Sequence, residues 1–187
     1  MPKYQKVIIS ILALATLWSL VKPYSYGNWI LEMLPVLLAV PTLIIFNKRH
    51  KLSVVTFTSV CIFLLLGIIE AHYSVARVPF GFTLGDWFST SRNMFDRLMH
   101  FLFGALLFYP LYELTKDFIV GRKFFHYFIP STILLALSAI YEIAEWGSHT
   151  ITTAGVSKLF LGTQGDRWDS QKDMAMATLG IVLALLL

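Results

Sequence analysis

Acidic side chains and a histidine lie in or beside the long apolar segments of this 187-residue chain. The set comprises Asp96, His100, Glu142, Glu145, Asp166, Asp169 and Asp173. Such groups in a bilayer must be paired, solvated or functional, because an isolated charge there is costly. Their chemistry is that of divalent-metal ligands and of proton-transfer groups. The sequence therefore indicates a polar site within a membrane.

These residues recur at helical spacing. Three pairs are separated by three or four residues: Asp96 with His100, Glu142 with Glu145, and Asp169 with Asp173. Residues at this spacing share one face of a helix, and helical bundles build metal sites from such pairs. We therefore expect the three pairs to surround a common cavity.

The residue types predict separate roles within that cavity. Oxygen-rich ligand sets favour Mg²⁺, Mn²⁺ or Ca²⁺. A catalytic Zn²⁺ held by histidine and carboxylates is the alternative. His100, oriented by Asp96, is the expected proton-transfer group. The expected metal ligands are Glu142, Glu145, Asp166, Asp169 and Asp173.

Ordinary ion pairs of the acids with Arg92, Arg97, Arg167 and Lys172 are the alternative explanation. The motif set holds six carboxylates and only three cations, which are Arg97, Arg167 and Lys172. We expect these long side chains to reach water at the membrane boundary. An excess of desolvated acid requires protons or a cation to neutralise it, which favours a divalent metal or a cationic substrate.

Composition and segment length define the fold class. The chain is 57% hydrophobic and 14% charged, which excludes an ordinary soluble domain. A helix needs about 20 apolar residues to cross the hydrocarbon core. Six segments approach this length, at about 7–21, 29–46, 54–73, 96–114, 124–146 and 171–187. The prediction is an all-α, polytopic membrane bundle of about six transmembrane helices, forming a single domain over residues 1–187.

Charge distribution predicts orientation and partners. Basic residues are densest in the short loops around Lys48 and Arg122, so both termini are expected in the cytoplasm. The acidic set then faces the extracytoplasmic side, and it shares one face even if the orientation is inverted. The first segment is expected to remain as a helix, since residues 22–26 lack a signal-peptidase site. Membrane lipids are the expected partners, and no basic, aromatic pattern indicates nucleic acid.

Three sequence blocks resemble the signature blocks of the YjdF-like bacterial inner-membrane proteins. They are DRLMHFLFG at 96–104, YEIAEW at 141–146 and LGTQGDRWDSQKDM at 161–174. Residues 28–35 and the dipeptide at 72–73 also fit, so the match spans most of the chain. The resemblance implies a multi-pass protein of the bacterial cytoplasmic membrane, and it implies no particular reaction.

A fainter similarity extends to the VanZ-like membrane proteins, which are associated with glycopeptide resistance and the cell envelope. The matching residues are Asp96, Arg97, His100, Glu142, Asp173 and Gly180. Ala177 departs from that pattern, because it stands where the family has asparagine. A role that needs the amide is therefore not expected here.

Two function classes fit these observations. The first is a metal-dependent enzyme on the extracytoplasmic side that hydrolyses or modifies a lipid-linked or envelope substrate. The second is a cation- or proton-linked binding or transport protein without enzymatic activity. Segments 106–108, 133–135 and 181–183 are apolar, so no polar path continues toward the inner face. This pattern favours binding or surface chemistry over transport.

Overall fold

The computed structural model of this chain describes all residues except the side chain of His149. The described chain is all-α, with a short 3₁₀ turn at Val75–Arg77 and no strand. Its helices are α1 Lys3–Ser19, α2 Tyr26–His50, α3 Val54–Tyr73, α4 Pro79–Trp87, α5 Phe95–Thr115, α6 Lys123–Ile151, α7 Ala154–Leu161 and α8 Asp169–Leu186. The predicted helical bundle is confirmed.

The number of membrane crossings is lower than the sequence predicted. Among the described helices, α2, α3, α5 and residues Lys123–Ser148 of α6 are long and apolar enough to span a bilayer. The prediction of six crossings was therefore wrong. Helix α1 has only 17 residues, which is about 25 Å at 1.5 Å per residue. Helix α8 carries Asp169, Lys172 and Asp173 in its first two turns, and such charge disfavours a spanning segment.

Close backbone packing joins α5 to α8 and positions the site. A Cβ atom at Gly104 would lie 2.1 Å from the carbonyl oxygen of Ala177, and one at Gly180 would lie 2.0 Å from that of Phe101. Glycine at both positions permits this approach. Ala177 is fully buried in the contact, which explains the small residue where the VanZ-like pattern has asparagine. The first turns of α5 and α8 therefore lie side by side.

Polar contacts at the opposite end of the bundle fix the other helices. Gln5 on α1 and Asn47 on α2 exchange two side-chain hydrogen bonds of 3.2 and 2.7 Å. Glu113 on α5 accepts hydrogen bonds from the backbone amide of Ser53, at 3.1 Å, and from the Thr56 hydroxyl at the start of α3. The first pair of contacts joins α1 to α2, and the second joins α3 to α5. The acidic set lies at the other end of the bundle.

Cysteine labelling tests the orientation that the basic loops predict. Asp86 and Lys158 are exposed at the acidic end, and Lys48 and Arg122 are exposed at the opposite end. In a Cys61→Ala background, we expect cysteine at 86 or 158 to react with an impermeant maleimide in intact spheroplasts. Cysteine at 48 or 122 should react only after permeabilisation. The reverse pattern would place the acidic site in the cytoplasm.

Candidate functional site

Arg97, in the first turn of α5, lies at the centre of the polar site and is only 5% exposed. Its Nη2 atom is 2.6 Å from Oδ1 of Asp169 and 3.4 Å from Oδ2 of Asp166. Its Nη1 atom pairs with Oδ2 of Asp173. The expectation that Arg97 reaches water was wrong, because these carboxylates surround its guanidinium inside the bundle. The planar, forked guanidinium suits several carboxylates at once.

Arg92, in the loop before α5, forms a second cationic contact, of the kind that the ion-pair alternative predicted. Its Nη2 atom is 2.6 Å from Oδ1 of Asp169, so two arginines share this oxygen. Its Nη1 atom donates to the carbonyl oxygen of Thr163 at 2.6 Å. Arg92 thereby ties the loop before α8 to the start of α5.

Asp166 lies at the solvent edge of this cluster. Its Oδ2 atom is 2.6 Å from Nζ of Lys172, and its Oδ1 atom accepts a hydrogen bond of 3.0 Å from the amide of Trp168. The hydrogen bond from Lys172, with that of the Trp168 amide, lowers the pKa of Asp166 below its ordinary value. Asp166 therefore stabilises the loop that enters α8, and its role as a metal ligand stays a prediction.

A second group joins α5 to α6. His100 Nε2 lies 3.2 Å from Oε1 of Glu142 and 3.6 Å from Oδ1 of Asp96, and all three side chains are buried. Because Arg97 connects the same turn of α5 to Asp173, the three helices that carry the predicted pairs meet here. Of the predicted pairs, only Asp96 and His100 line the cavity described below, so a cavity common to all three pairs stays a prediction. An imidazole between two carboxylates is suited to proton transfer.

Three of these residues could hold a metal ion. Asp96, His100 and Asp173 each offer one ligand atom, and these atoms lie within 4.8 Å of one another. Asp173 pairs with Arg97 through Oδ2, whereas its buried Oδ1 has no hydrogen-bond partner. Sequence analysis expected Asp173 as a ligand, but it expected Asp96 and His100 as the proton-transfer pair. The geometry thus combines residues from both predicted roles.

The remaining predicted ligands lie around this group. Asp169 is enclosed by Arg92 and Arg97. Glu145, one turn beyond Glu142 on α6, is buried, and its charged neighbours are acidic. Metal ligation by Glu142, Glu145 and Asp169 stays a prediction.

An apolar cavity of about 370 Å³ begins at the polar group and extends between α2, α3, α5 and α6. Asp96 and His100 line it together with Glu32 of α2 and Glu70 of α3. The remaining lining is mainly aliphatic and aromatic. Sequence analysis did not assign Glu32 or Glu70 to the site. Their positions in apolar segments near the same boundary were the signal that could have found them.

The fold and the site define a polytopic helical membrane protein with a buried cluster of acids, arginines and a histidine at one boundary. The chain belongs to the family described as "Predicted membrane protein (DUF2238)", which matches residues 4–187. It is 31% identical over 177 residues to the inner membrane protein YjdF of Escherichia coli (strain K12), covering 94% of this chain and 84% of that protein.

These comparisons confirm the resemblance to YjdF-like proteins and the expected location in the bacterial inner membrane. No solved structure matches the chain. The similarity to VanZ-like proteins stays a hypothesis.

Proposed function

We propose that this chain binds a divalent metal at Asp96, His100 and Asp173 and acts there on a lipid-linked or envelope substrate. The observation that supports this proposal is the convergence of three ligand atoms within 4.8 Å, since two of the residues, Asp96 and His100, also line an apolar cavity. Three protein ligands leave coordination positions for water and substrate. Carboxylates with one imidazole suit Mn²⁺, Mg²⁺ or a catalytic Zn²⁺, and Ca²⁺ is a further candidate for the same oxygen ligands.

The surrounding residues supply positioning and proton transfer. Arg97 holds Oδ2 of Asp173, and the buried Oδ1 has no hydrogen-bond partner, so it is free to bind a metal. A bound metal would polarise the scissile group or lower the pKa of water. Glu142, whose Oε1 lies 3.2 Å from Nε2 of His100, would accept the proton that this water releases. The reaction class that fits is hydrolysis or transfer at a polar head group next to the membrane.

A binding protein without catalysis is the second candidate. The observation that favours it is that arginines already neutralise Asp169 and Asp173. A cation or proton would then be recognised by the acids of the site other than Asp169 and Asp173. Transport is less favoured, because the cavity lining away from the polar group is apolar, as at Leu107, Leu111 and Leu134.

Metal binding by purified variants tests the metal site that the first candidate requires. We expect the wild-type protein to bind Mn²⁺, and we expect Asp173→Asn and Asp96→Asn each to weaken the affinity by more than about tenfold, since each removes a ligand charge. Isothermal titration and melting curves with Mn²⁺, Mg²⁺, Ca²⁺, Zn²⁺ or chelator provide the measurement. Asp86→Asn, an exposed aspartate at the same end, is the matched control and should bind normally. Melting that is identical with every ion and with chelator would reject the metal site.

A further inference from the structure

Two glutamates of the cavity lack a counter-charge. Glu32 is 6% exposed, and its Oε1 accepts a hydrogen bond of 2.7 Å from the Asn28 amide. Its Oε2 is buried without a partner. Glu70 also lines the cavity, together with Glu32 and Asp96. The cavity lining contains no lysine or arginine among the residues that the structure describes.

The cations of the site do not neutralise the negative charge of Glu32 and Glu70. Arg92 and Arg97 contact aspartates at the starts of α5 and α8, and Lys172 contacts Asp166. A divalent ion at the metal group would lie between Asp96, His100 and Asp173, and no ion pair of the described residues reaches Glu32 or Glu70. Glu32 and Glu70 therefore need protons or a cationic ligand, because a desolvated carboxylate without a partner is costly.

The cavity is long. Its lining on α5 runs from Asp96 to Leu111, which is about 22 Å at 1.5 Å per residue. This length and the mainly aliphatic and aromatic lining suit an extended hydrocarbon chain. The volume lies within the range of about 300–1,000 Å³ that small-molecule sites occupy.

We infer that the cavity binds an amphiphile with a long hydrocarbon chain and an ammonium head group. The chain lies along α5, and the ammonium lies between Glu32 and Glu70, within reach of His100. This inference rests on the proposed function in treating the cavity as the substrate site, and it names the substrate class. A fatty acid is excluded by the same charges, since its carboxylate would face two glutamates.

Photolabelling of the purified full chain in mild detergent tests the inference. The probe is a 16-carbon primary amine with a diazirine in its chain, and matched probes carry a hydroxyl or a carboxylate head. We expect the amine to label residues of the cavity, such as Phe103 and Leu134, at least about tenfold more than the alcohol does, with no specific labelling by the acid. Peptide mass spectrometry locates the label.

Variants locate the determinants of binding. Glu32→Gln and Glu70→Gln should each reduce amine labelling severalfold, because both keep the side-chain volume and remove a carboxylate from the cavity lining. Ala39→Phe places a ring in the cavity and should block all probes. Asp86→Asn is the matched surface control and should label as wild type does. Equal labelling by amine and alcohol, or amine labelling unchanged in both glutamine variants, would overturn the inference.

The same assay distinguishes this inference from the metal proposal. Asp173 does not line the cavity, so Asp173→Asn and chelator should leave most amine labelling intact. Retained labelling with no metal binding would reject the metal and support the amphiphile. Metal binding with no preference for the amine would support the metal and reject the amphiphile.

Discussion

Replacement of Arg97 by alanine is expected to lower the free energy of unfolding by about 3–5 kcal/mol, because removal of one partner leaves buried charges uncompensated. Arg97 is 5% exposed and contacts Asp166, Asp169 and Asp173. Arg92 compensates only Asp169 among these. Thermal melting of the detergent-purified variant, followed by circular dichroism, measures the loss.

Two further variants define the cause of that loss. Arg97→Lys keeps the charge but cannot supply the forked contact, so it should recover only part of the stability. Arg167→Ala removes an exposed arginine whose guanidinium lies 5.3 Å from the Trp168 ring, and it should melt close to wild type. If Arg97→Ala melts like Arg167→Ala, the ion-pair cluster does not stabilise the bundle.

Leucine in place of Gly104 or Gly180 is expected to separate α5 from α8 and to destabilise the protein by about 3 kcal/mol or more, since backbone atoms leave no room for a side chain. A Cβ atom alone would lie 2.1 or 2.0 Å from a carbonyl oxygen of the other helix. Each variant should also lose Mn²⁺ binding, because the packing aligns Asp96 with Asp173. Melting and titration of the same samples give both readouts.

Gly147 supplies the matched control on α6. A Cβ atom there would meet nothing within 4 Å. Gly147→Ala should leave stability unchanged or raise it by about 0.5–1 kcal/mol, since alanine restricts the unfolded chain. Wild-type melting of Gly104→Leu would show that α5 and α8 do not pack closely in the membrane.

Sequence alone was sufficient for the bundle and for the end of the bundle at which the predicted pairs lie. Alternating directions of consecutive helices bring Asp96, Glu142 and Asp173 to one end, and helical spacing places each beside its partner. This reasoning needs only segment lengths. The predicted number of crossings was wrong because α1 is short and α8 carries charged residues in its first two turns.

The sequence could not predict which partner each side chain has. Arg97 was expected to reach water because a long side chain at a boundary usually does. Its burial depends on contacts with residues about 70 positions later, and these contacts exist only after α5 and α8 pack. The same limit applies to Glu32 and Glu70, whose importance follows from the cavity that they share with α5 and α6.

The parallel packing of α5 and α8 has a consequence for biosynthesis. Arg97 and Asp169 are separated by 72 residues, which a ribosome adds in about 4–14 s at 5–20 residues per second. Throughout that interval the start of α5 has no partner from α8. Helix α5 also has the lowest mean hydropathy of the four spanning helices, at 1.3. The first turn of α5 therefore stays at the lipid–water boundary without its ion-pair partners. The polar site is completed only after α8 has been synthesised.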